Sequence, residues 1–95
     1  PVVRTHPETG RKGLFINPIY TIKFEDMTLE ESQPILDFLY AHATRPEFQC
    51  RFKWTKHTLA IWDNRCTMHY AVQDFYDAGT RDFYRTTVKG DAKAV

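Results

Sequence analysis

The sequence predicts a mainly β fold, a sandwich or jelly roll with one or two helices. Short stretches in which apolar and polar residues alternate recur along the chain, and one stretch has apolar residues at helical spacing instead. The 95 residues, 42% of them hydrophobic, suffice for one small domain, because a chain of this length buries roughly two-thirds of its surface. Folds of this class hold small ligands in their mouths.

Three strands are predicted in the first part of the chain. Residues 2–5 and 13–16 are separated by a turn-like segment with Pro and Gly, which favours a hairpin. Residues 20–24 alternate between apolar and polar types, so a third strand there would place Tyr20 and the other apolar side chains on one face.

One helix is predicted next. Thr28 and Glu31 fit a capping box at its start. Because Pro is tolerated only near a first turn, Pro34 predicts that the regular helix begins between residues 30 and 33 and ends before Pro46. The residues expected on its apolar face are Ile35, Leu36, Phe38, Leu39 and Ala43.

Alternation with a period of two returns after the helix. In residues 48–54 aromatic and cysteine side chains alternate with polar ones, which predicts a half-buried strand. Residues 57–63 are expected to pair with it as a hairpin. A last strand, residues 81–88, would place Arg81 and Arg85 on the same face.

The charge balance favours small-molecule partners. Thirteen Lys and Arg against twelve Asp and Glu give a net charge of +1, too little to indicate a nucleic-acid or membrane surface. Cys50 and Cys66 lack the density of a disulfide scaffold, so we expect a reducing, cytoplasmic setting. No apolar run approaches the ~20 residues that span a bilayer, which predicts a soluble protein.

Three common chemistries lack the residues they need. Ser32 is the single serine and stands at a helix start without a glycine elbow, which excludes serine-nucleophile hydrolysis. The four glycines are too scattered for a phosphate-binding loop. Cys66 and His69 have the spacing of half a zinc site, but no second Cys/His pair lies at a plausible distance.

His69 and two arginines remain as candidates for function. A neutral imidazole after a rigid strand end suits a first-row metal, although a lone His in a strand is more often a hydrogen-bonded core residue. The planar guanidinium groups of Arg81 and Arg85 suit a carboxylate or sulfonate, with a solvated strand edge as the alternative.

Longer stretches of the sequence resemble one known family. "WDNRCTMHYAVQDF" followed by "RDFYRTTVKGD" is similar to the C-terminal signature of the taurine dioxygenase family, the Fe(II)- and 2-oxoglutarate-dependent oxygenases of taurine, alkyl sulfates and related acids. "PVVRTHPETGRKGLFIN", "LDFLYAHATRPEFQCRFKW" and "LAIWDNR" also resemble that family's closing segments. The similarity covers nearly the whole chain.

The resemblance implies a role for four residues. His69 matches the distal histidine of the triad of two imidazoles and one carboxylate that binds iron. Arg81 matches the arginine that binds the far carboxylate of 2-oxoglutarate, and Arg85 matches the one that meets the acidic group of the prime substrate. Tyr20 matches an aromatic placed against the substrate. Arg81 follows His69 by 12 positions, one more than the taurine branch implies, with the extra residue within 77–79.

The resemblance also implies that residues 1–95 are the C-terminal part of a single oxygenase domain, a cupin-like double-stranded β-helix, or jelly roll. The family's proximal His-x-Asp pair lies on an earlier strand, in an N-terminal part absent from this sequence. His6 and Glu8 have a related His-x-Glu form, but they match a stretch that does not ligate metal, and they lie in a turn. The segment alone is therefore expected to be inactive.

The implied enzyme hydroxylates taurine or a related alkanesulfonate and releases sulfite and an aldehyde. It uses Fe(II), 2-oxoglutarate and dioxygen, with ascorbate as a supporting reductant, and is expected to be a homo-oligomer. Sulfate esters and aryloxy acids are alternative substrates. One rival is a metal-free jelly roll that binds an acidic ligand through Arg81 and Arg85. Another is a nucleic-acid binder built around Trp54, which is disfavoured because its charges and aromatics alternate onto opposite faces.

Overall fold

The computed structural model describes residues 1–72 and 82–95. Within these ranges, strand β1 (Val3–Thr5) and strand β2 (Lys12–Leu14) are followed by helix α1 (Leu29–Ala43) and a short 3-10 helix (Pro46–Phe48). In the parts of the chain that the structure describes, no helix has the length and apolar character needed to cross a bilayer.

The two strands form the predicted N-terminal hairpin. They are antiparallel, and Val3 lies opposite Leu14. Gly10 adopts a φ of +71° in the connecting turn, a left-handed conformation that costs glycine little. Its N–H donates to the carbonyl of His6 at 2.9 Å, and the N–H of His6 donates to the carbonyl of Arg11 at 2.8 Å. The hairpin prediction is therefore confirmed, with strands shorter than expected.

Helix α1 confirms the capping box. The Thr28 hydroxyl accepts from the N–H of Glu31 at 3.1 Å, and the Glu31 carboxylate accepts from the N–H of Thr28. The helix begins at Leu29, so the predicted start between residues 30 and 33 is wrong by at least one residue, and Pro34 lies inside the helix. Its end at Ala43 agrees with the prediction.

The core of the described residues lies where α1 meets the chain that precedes it. Ile16 and Leu36 are the buried hydrophobic side chains there, and Ser32 is fully buried. The Ser32 hydroxyl accepts a hydrogen bond from the backbone N–H of Phe24 at 3.0 Å. The single serine thus has a structural use, which fits its exclusion as a nucleophile.

The predicted strand at residues 20–24 is not formed. The carbonyl of Asn17 accepts from the N–H of Thr21 at 2.8 Å, and its side-chain oxygen accepts from the N–H of Ile19 at 2.8 Å. An Asn side chain that binds nearby backbone in this way favours a turn over a strand. Tyr20 is consequently 80% exposed instead of lying on a sheet face.

The strands predicted at residues 48–54 and 57–63 are also not formed, and residues 82–88 form no strand either. Phe48 belongs to the 3-10 helix, and His57 has a φ of +65°, which a regular strand does not accommodate. The described part of the chain offers these segments no ladder partner, and a strand without one is unstable. The α-helix and the two-stranded sheet found in residues 1–72 and 82–95 do not by themselves confirm the predicted jelly roll.

The capping box yields a prediction about stability. Replacing Thr28 with Ala removes the acceptor of the Glu31 N–H, and we expect a loss of about 1 kcal/mol in the free energy of unfolding. Denaturant unfolding measures this loss. Thr28→Ser keeps the hydroxyl and serves as the control. Equal stability of Thr28→Ala and the unmodified protein would contradict the role of the cap.

Candidate functional site

His69 lies on the surface, two residues after the end of a hydrogen-bonded corner formed by residues 63–67. Its ring contacts the indole of Trp62 with centroids 4.7 Å apart and planes tilted by 43°. The Trp62 Nε1–H donates to the side-chain oxygen of Asn64 at 3.0 Å. Within the described residues, no hydrogen bond occupies the ring nitrogens of His69. Its imidazole is therefore held from one side and open to a ligand.

The other predicted site residues are not gathered around His69. Arg85 and Tyr20 are exposed, and within residues 1–72 and 82–95 no hydrogen bond or ring contact joins either of them to His69. Arg81 lies outside the described residues. The segment after residue 82 does return to the middle of the chain, because Phe83 packs edge-on against Trp54 with centroids 4.9 Å apart.

The backbone of the corner is tightly hydrogen-bonded. The carbonyl of Asp63 accepts from the N–H of Cys66 at 3.3 Å and from the N–H of Thr67 at 3.1 Å. The Thr67 hydroxyl donates to the same carbonyl at 2.6 Å. These bonds form a turn at residues 63–67, directly after the apolar stretch of the sequence.

The Asp63 carboxylate is the centre of a cluster that we call the hairpin–corner cluster, consisting of His6, Asp63 and Arg65. Arg65 donates from Nη2 to Oδ2 at 2.8 Å, from Nε to Oδ1 at 2.9 Å, and from its backbone N–H to Oδ1 at 2.9 Å. His6 Nε2 lies 3.0 Å from Oδ2, although the two residues are 57 positions apart. Glu8 adds a longer ion pair to Arg65 at 3.8 Å.

The contacts of His6 define its tautomer. The backbone N–H groups of Glu8 and Thr9 donate to its Nδ1 at 3.2 and 3.3 Å. Nδ1 must therefore carry a lone pair, so Nε2 carries the hydrogen and donates it to Asp63. Both ring nitrogens are engaged, which gives the His-x-Glu motif of His6 and Glu8 a structural use within the turn.

The negative charge of Asp63 is balanced by the positive charge of the neighbouring Arg65. The side-chain hydrogen bonds from Arg65 lower the pKa of Asp63 well below its ordinary value of 3.8, and the bonds from His6 and from the Arg65 backbone lower it further. The same contact with Asp63 raises the pKa of Arg65. Asp63 and Arg65 therefore remain a charged pair at neutral pH.

One group of potential metal ligands occurs in the described residues. Ligand atoms of His6, Asp63 and Cys66 lie within 4.8 Å of one another. A cation there would displace the hydrogen on His6 Nε2 and would meet the Arg65 guanidinium, which lies 2.8 Å from the same carboxylate. The arrangement as built thus favours the ion pair over a metal.

The hairpin–corner cluster was not predicted from the sequence, in which His6 stood out only as part of a His-x-Glu pattern. The polar triplet Asp63-Asn64-Arg65 follows an apolar run, a pattern typical of a turn. Nothing in either local sequence specifies its partner, because the contact joins residues 57 positions apart.

The lowered pKa of Asp63 yields a prediction about pH. A carboxyl whose pKa falls on folding contributes stability above its unfolded pKa, and that contribution is lost as the pH falls through the folded pKa. We therefore expect the ion pair of Asp63 with Arg65 to be intact at neutral pH and to weaken only below pH 3.8, the ordinary value for the Asp63 carboxyl. A carbon-13 NMR titration of the Asp63 carboxyl should give a midpoint below 3.8.

Arg65→Met is the control for this titration. It removes the largest cause of the lowered pKa, so the midpoint of Asp63 should rise in the variant. A midpoint that does not respond to the substitution would contradict the assignment of Arg65 as the main partner.

Comparison with known proteins shows the family to which the sequence is similar. Residues 1–87 match the model of the family described as taurine catabolism dioxygenase TauD, TfdA family. A putative alpha-ketoglutarate-dependent sulfonate dioxygenase of Schizosaccharomyces pombe is 42% identical over 92 residues, which cover 96% of this chain and 23% of that protein.

Two bacterial relatives are similar over the same region. An alkylsulfatase of Acinetobacter baylyi is 38% identical, covering 96% of this chain and 28% of the relative. An alpha-ketoglutarate-dependent 2,4-dichlorophenoxyacetate dioxygenase of Cupriavidus pinatubonensis is 39% identical, covering 97% of this chain and 31% of the relative. The chain spans about a quarter of the length of the curated relatives it matches. The resemblance seen in the sequence is confirmed, and the chain belongs to the TauD/TfdA family, whose fold is cupin-like.

Proposed function

We propose that the full-length protein is an Fe(II)- and 2-oxoglutarate-dependent dioxygenase that hydroxylates taurine or a related alkanesulfonate. The observation that carries this proposal is the family match over residues 1–87, which includes His69, Arg81 and Arg85. Hydroxylation of the carbon next to the sulfonate gives a product that breaks down to an aldehyde and sulfite. The second oxygen atom of dioxygen enters succinate as 2-oxoglutarate loses carbon dioxide.

His69 is the iron ligand that this segment would supply. Its imidazole is exposed, and no hydrogen bond from the described residues occupies its nitrogens, in contrast to His6. A neutral imidazole is a suitable ligand for Fe(II), and its contact with Trp62 limits the orientations of the ring. When bound, the iron supplies the activation of dioxygen. The two remaining protein ligands of the proposed triad, a His and an Asp, would come from a more N-terminal part of the protein.

The two arginines would bind the acids. A guanidinium group makes paired hydrogen bonds to carboxylates and sulfonates, so Arg81 would fix the far carboxylate of 2-oxoglutarate and Arg85 the anionic group of the substrate. Arg85 is exposed and available for such a contact. By holding the anion, Arg85 would orient one C–H bond of the substrate toward the metal.

Tyr20 would contribute an aromatic wall beside the substrate. It lies in the turn held by Asn17, and with 80% of its surface exposed its ring is free to contact a ligand. In the full-length protein we propose a double-stranded β-helix, in which the alternating segments of this chain gain strand partners. The exposure of Leu59 and Ile61, 84% and 90%, supports that proposal, because such side chains are normally covered.

The identity of the acid is the finer part of the proposal. Relatives similar to this segment are named as dioxygenases of sulfonates, sulfate esters and 2,4-dichlorophenoxyacetate. The shared feature of these compounds is an anionic group that Arg85 could bind. A sulfonate is our first choice, and a sulfate ester or an aryloxy acid is the alternative. The rival hypothesis is a metal-free jelly roll that binds an acid. The iron content of the purified protein distinguishes this rival from the proposed dioxygenase.

We also propose that the protein acts in the cytoplasm as a homo-oligomer. Cys50 and Cys66 are both free and exposed, a condition typical of a reducing compartment. Ascorbate would serve only to keep the metal reduced.

The role of His69 yields a prediction. In the full-length protein, His69→Ala should abolish succinate formation that depends on Fe(II) and taurine, and it should remove the visible band that Fe(II) and 2-oxoglutarate give together without oxygen. His42→Ala, a change at an exposed histidine of helix α1, is the matched control and should leave both signals intact. Turnover that persists in His69→Ala would contradict the assignment of His69 as an iron ligand.

The arginines yield a second prediction. Arg81→Ala should raise the KM for 2-oxoglutarate more than the KM for the sulfonate, by on the order of 10-fold or more for the loss of a paired charged contact. Arg85→Ala should do the reverse. Steady-state succinate assays with one reactant varied at a time measure both values. The opposite pattern would mean that the two roles are exchanged.

Substrate choice is tested with the same assay. Taurine, a longer alkanesulfonate, an alkyl sulfate and 2,4-dichlorophenoxyacetate are compared at equal concentration. We expect the highest kcat/KM with a sulfonate. A clear preference for the sulfate ester or the aryloxy acid would move the protein to another branch of the family.

A further inference from the structure

We propose that Asp63, through His6 and Arg65, is a positioning residue that aims His69 at the metal, an inference that rests on the proposed function. The hairpin–corner cluster does not contact His69 itself. It fixes the backbone corner from which His69 emerges, and through that corner the direction of the imidazole.

The first step is the stiffness of the corner. The Asp63 carbonyl accepts both N–H groups of Cys66 and Thr67 and the Thr67 hydroxyl, so the chain has little freedom up to Thr67. His69 follows two residues later. A rotation of the corner about Asp63 would therefore carry the imidazole with it.

The second step is the anchor that prevents such a rotation. The Asp63 carboxylate binds His6, which directly follows strand β1. The His6 ring is in turn fixed by the N–H groups of Glu8 and Thr9 within the hairpin turn. The corner is thus connected by side-chain hydrogen bonds to a hairpin 57 positions earlier in the chain.

The third step is the role of Arg65. Its guanidinium binds both oxygens of Asp63, and its backbone N–H binds Oδ1, so the carboxylate is held in one orientation with Oδ2 turned toward His6. This balances the charge of Asp63 beside a neutral His6. Asn64 lies between Asp63 and Arg65 in the chain, and its side-chain oxygen accepts a hydrogen bond from the indole of Trp62. That indole contacts the His69 ring. The same short segment therefore supports His69 through its backbone and through a neighbouring ring.

The consequence is a specific pattern of effects. Groups that hydrogen-bond a metal ligand change metal affinity by roughly 10- to 100-fold when they are removed. The cluster acts on His69 only through the backbone and Trp62, so we expect an effect at the lower end of that range, about 10-fold. Loosening the cluster should weaken Fe(II) binding and lower kcat. The KM for the sulfonate should change little, because the proposed substrate arginine, Arg85, lies outside the cluster.

The test compares His6→Ala with His6→Gln and Asp63→Asn in the full-length protein. Fe(II) affinity is measured without oxygen by competition with a coloured chelator, alongside steady-state kinetics and thermal unfolding. We expect His6→Ala and Asp63→Asn to bind Fe(II) about 10-fold more weakly. His6→Gln retains an N–H that can reach Asp63 and should recover most of the affinity. His42→Ala is the control histidine and should have unchanged affinity.

The outcomes separate this inference from the proposed function. If His69→Ala loses Fe(II) binding but His6→Ala and Asp63→Asn keep full affinity, the positioning role is wrong and the proposed function stands. If His69→Ala keeps its Fe(II) affinity, the proposed function itself fails. If Asp63→Asn does not fold, the comparison of His6→Ala with His6→Gln tests the inference instead. Equal Fe(II) affinities in these two variants would overturn the role of the His6 contact.

Discussion

The ion pair and hydrogen bonds around the Asp63 carboxylate connect the N-terminal hairpin to the corner at residues 63–67. Arg65 supplies the charge balance, and His6 supplies the link to the N-terminal hairpin. The C-terminal residues approach the same hairpin, where the N–H of Thr5 donates to the carbonyl of Val95 at 2.8 Å. Strand β1 therefore lies between its partner β2 and the chain end, with the cluster immediately beyond its last residue. The location of the corner, and with it the location of His69, depends on this arrangement.

The second constraint is that the alternating segments after the helix need neighbouring strands to pair with. Among the described residues only Ile16 and Leu36 are buried hydrophobic side chains, whereas most of the aromatic and aliphatic residues after the helix are exposed. The alternation in residues 48–54 and 57–63 is that of half-buried strands, and the backbone groups of such segments need neighbouring strands. Our proposal of a complete double-stranded β-helix in the full-length protein would satisfy them. The same proposal accounts for a second observation. The turn at Asp63 is well hydrogen-bonded, whereas residues 57–62 and 68–72 on either side of it form no strand.

The features that the sequence predicted correctly are local ones. The hairpin depends on a turn with glycine in a left-handed conformation, and the helix start depends on Thr28 and Glu31, three positions apart. The failures have one local and one non-local cause. Residues 20–24 were predicted from alternation alone, and Asn17 instead bound the nearby backbone. The His6 contact with Asp63 has no local signature at all. His69, Arg81 and Arg85 were candidates by residue type alone, whereas their proposed roles and that of Tyr20 came from the family resemblance.

The proposed anion-binding role of Arg85 fits several classes of acid equally well. An arginine binds a sulfonate, a sulfate ester or a carboxylate through the same paired hydrogen bonds, so Arg85 in its proposed role would select for an acid and not for one particular acid. Relatives about 40% identical to this segment are named for three different acids, which fits that limit. Discrimination must therefore depend on the walls around the carbon chain. Tyr20 is the residue of this segment proposed to form such a wall, and the turn in which it lies is held by Asn17, outside the hairpin–corner cluster.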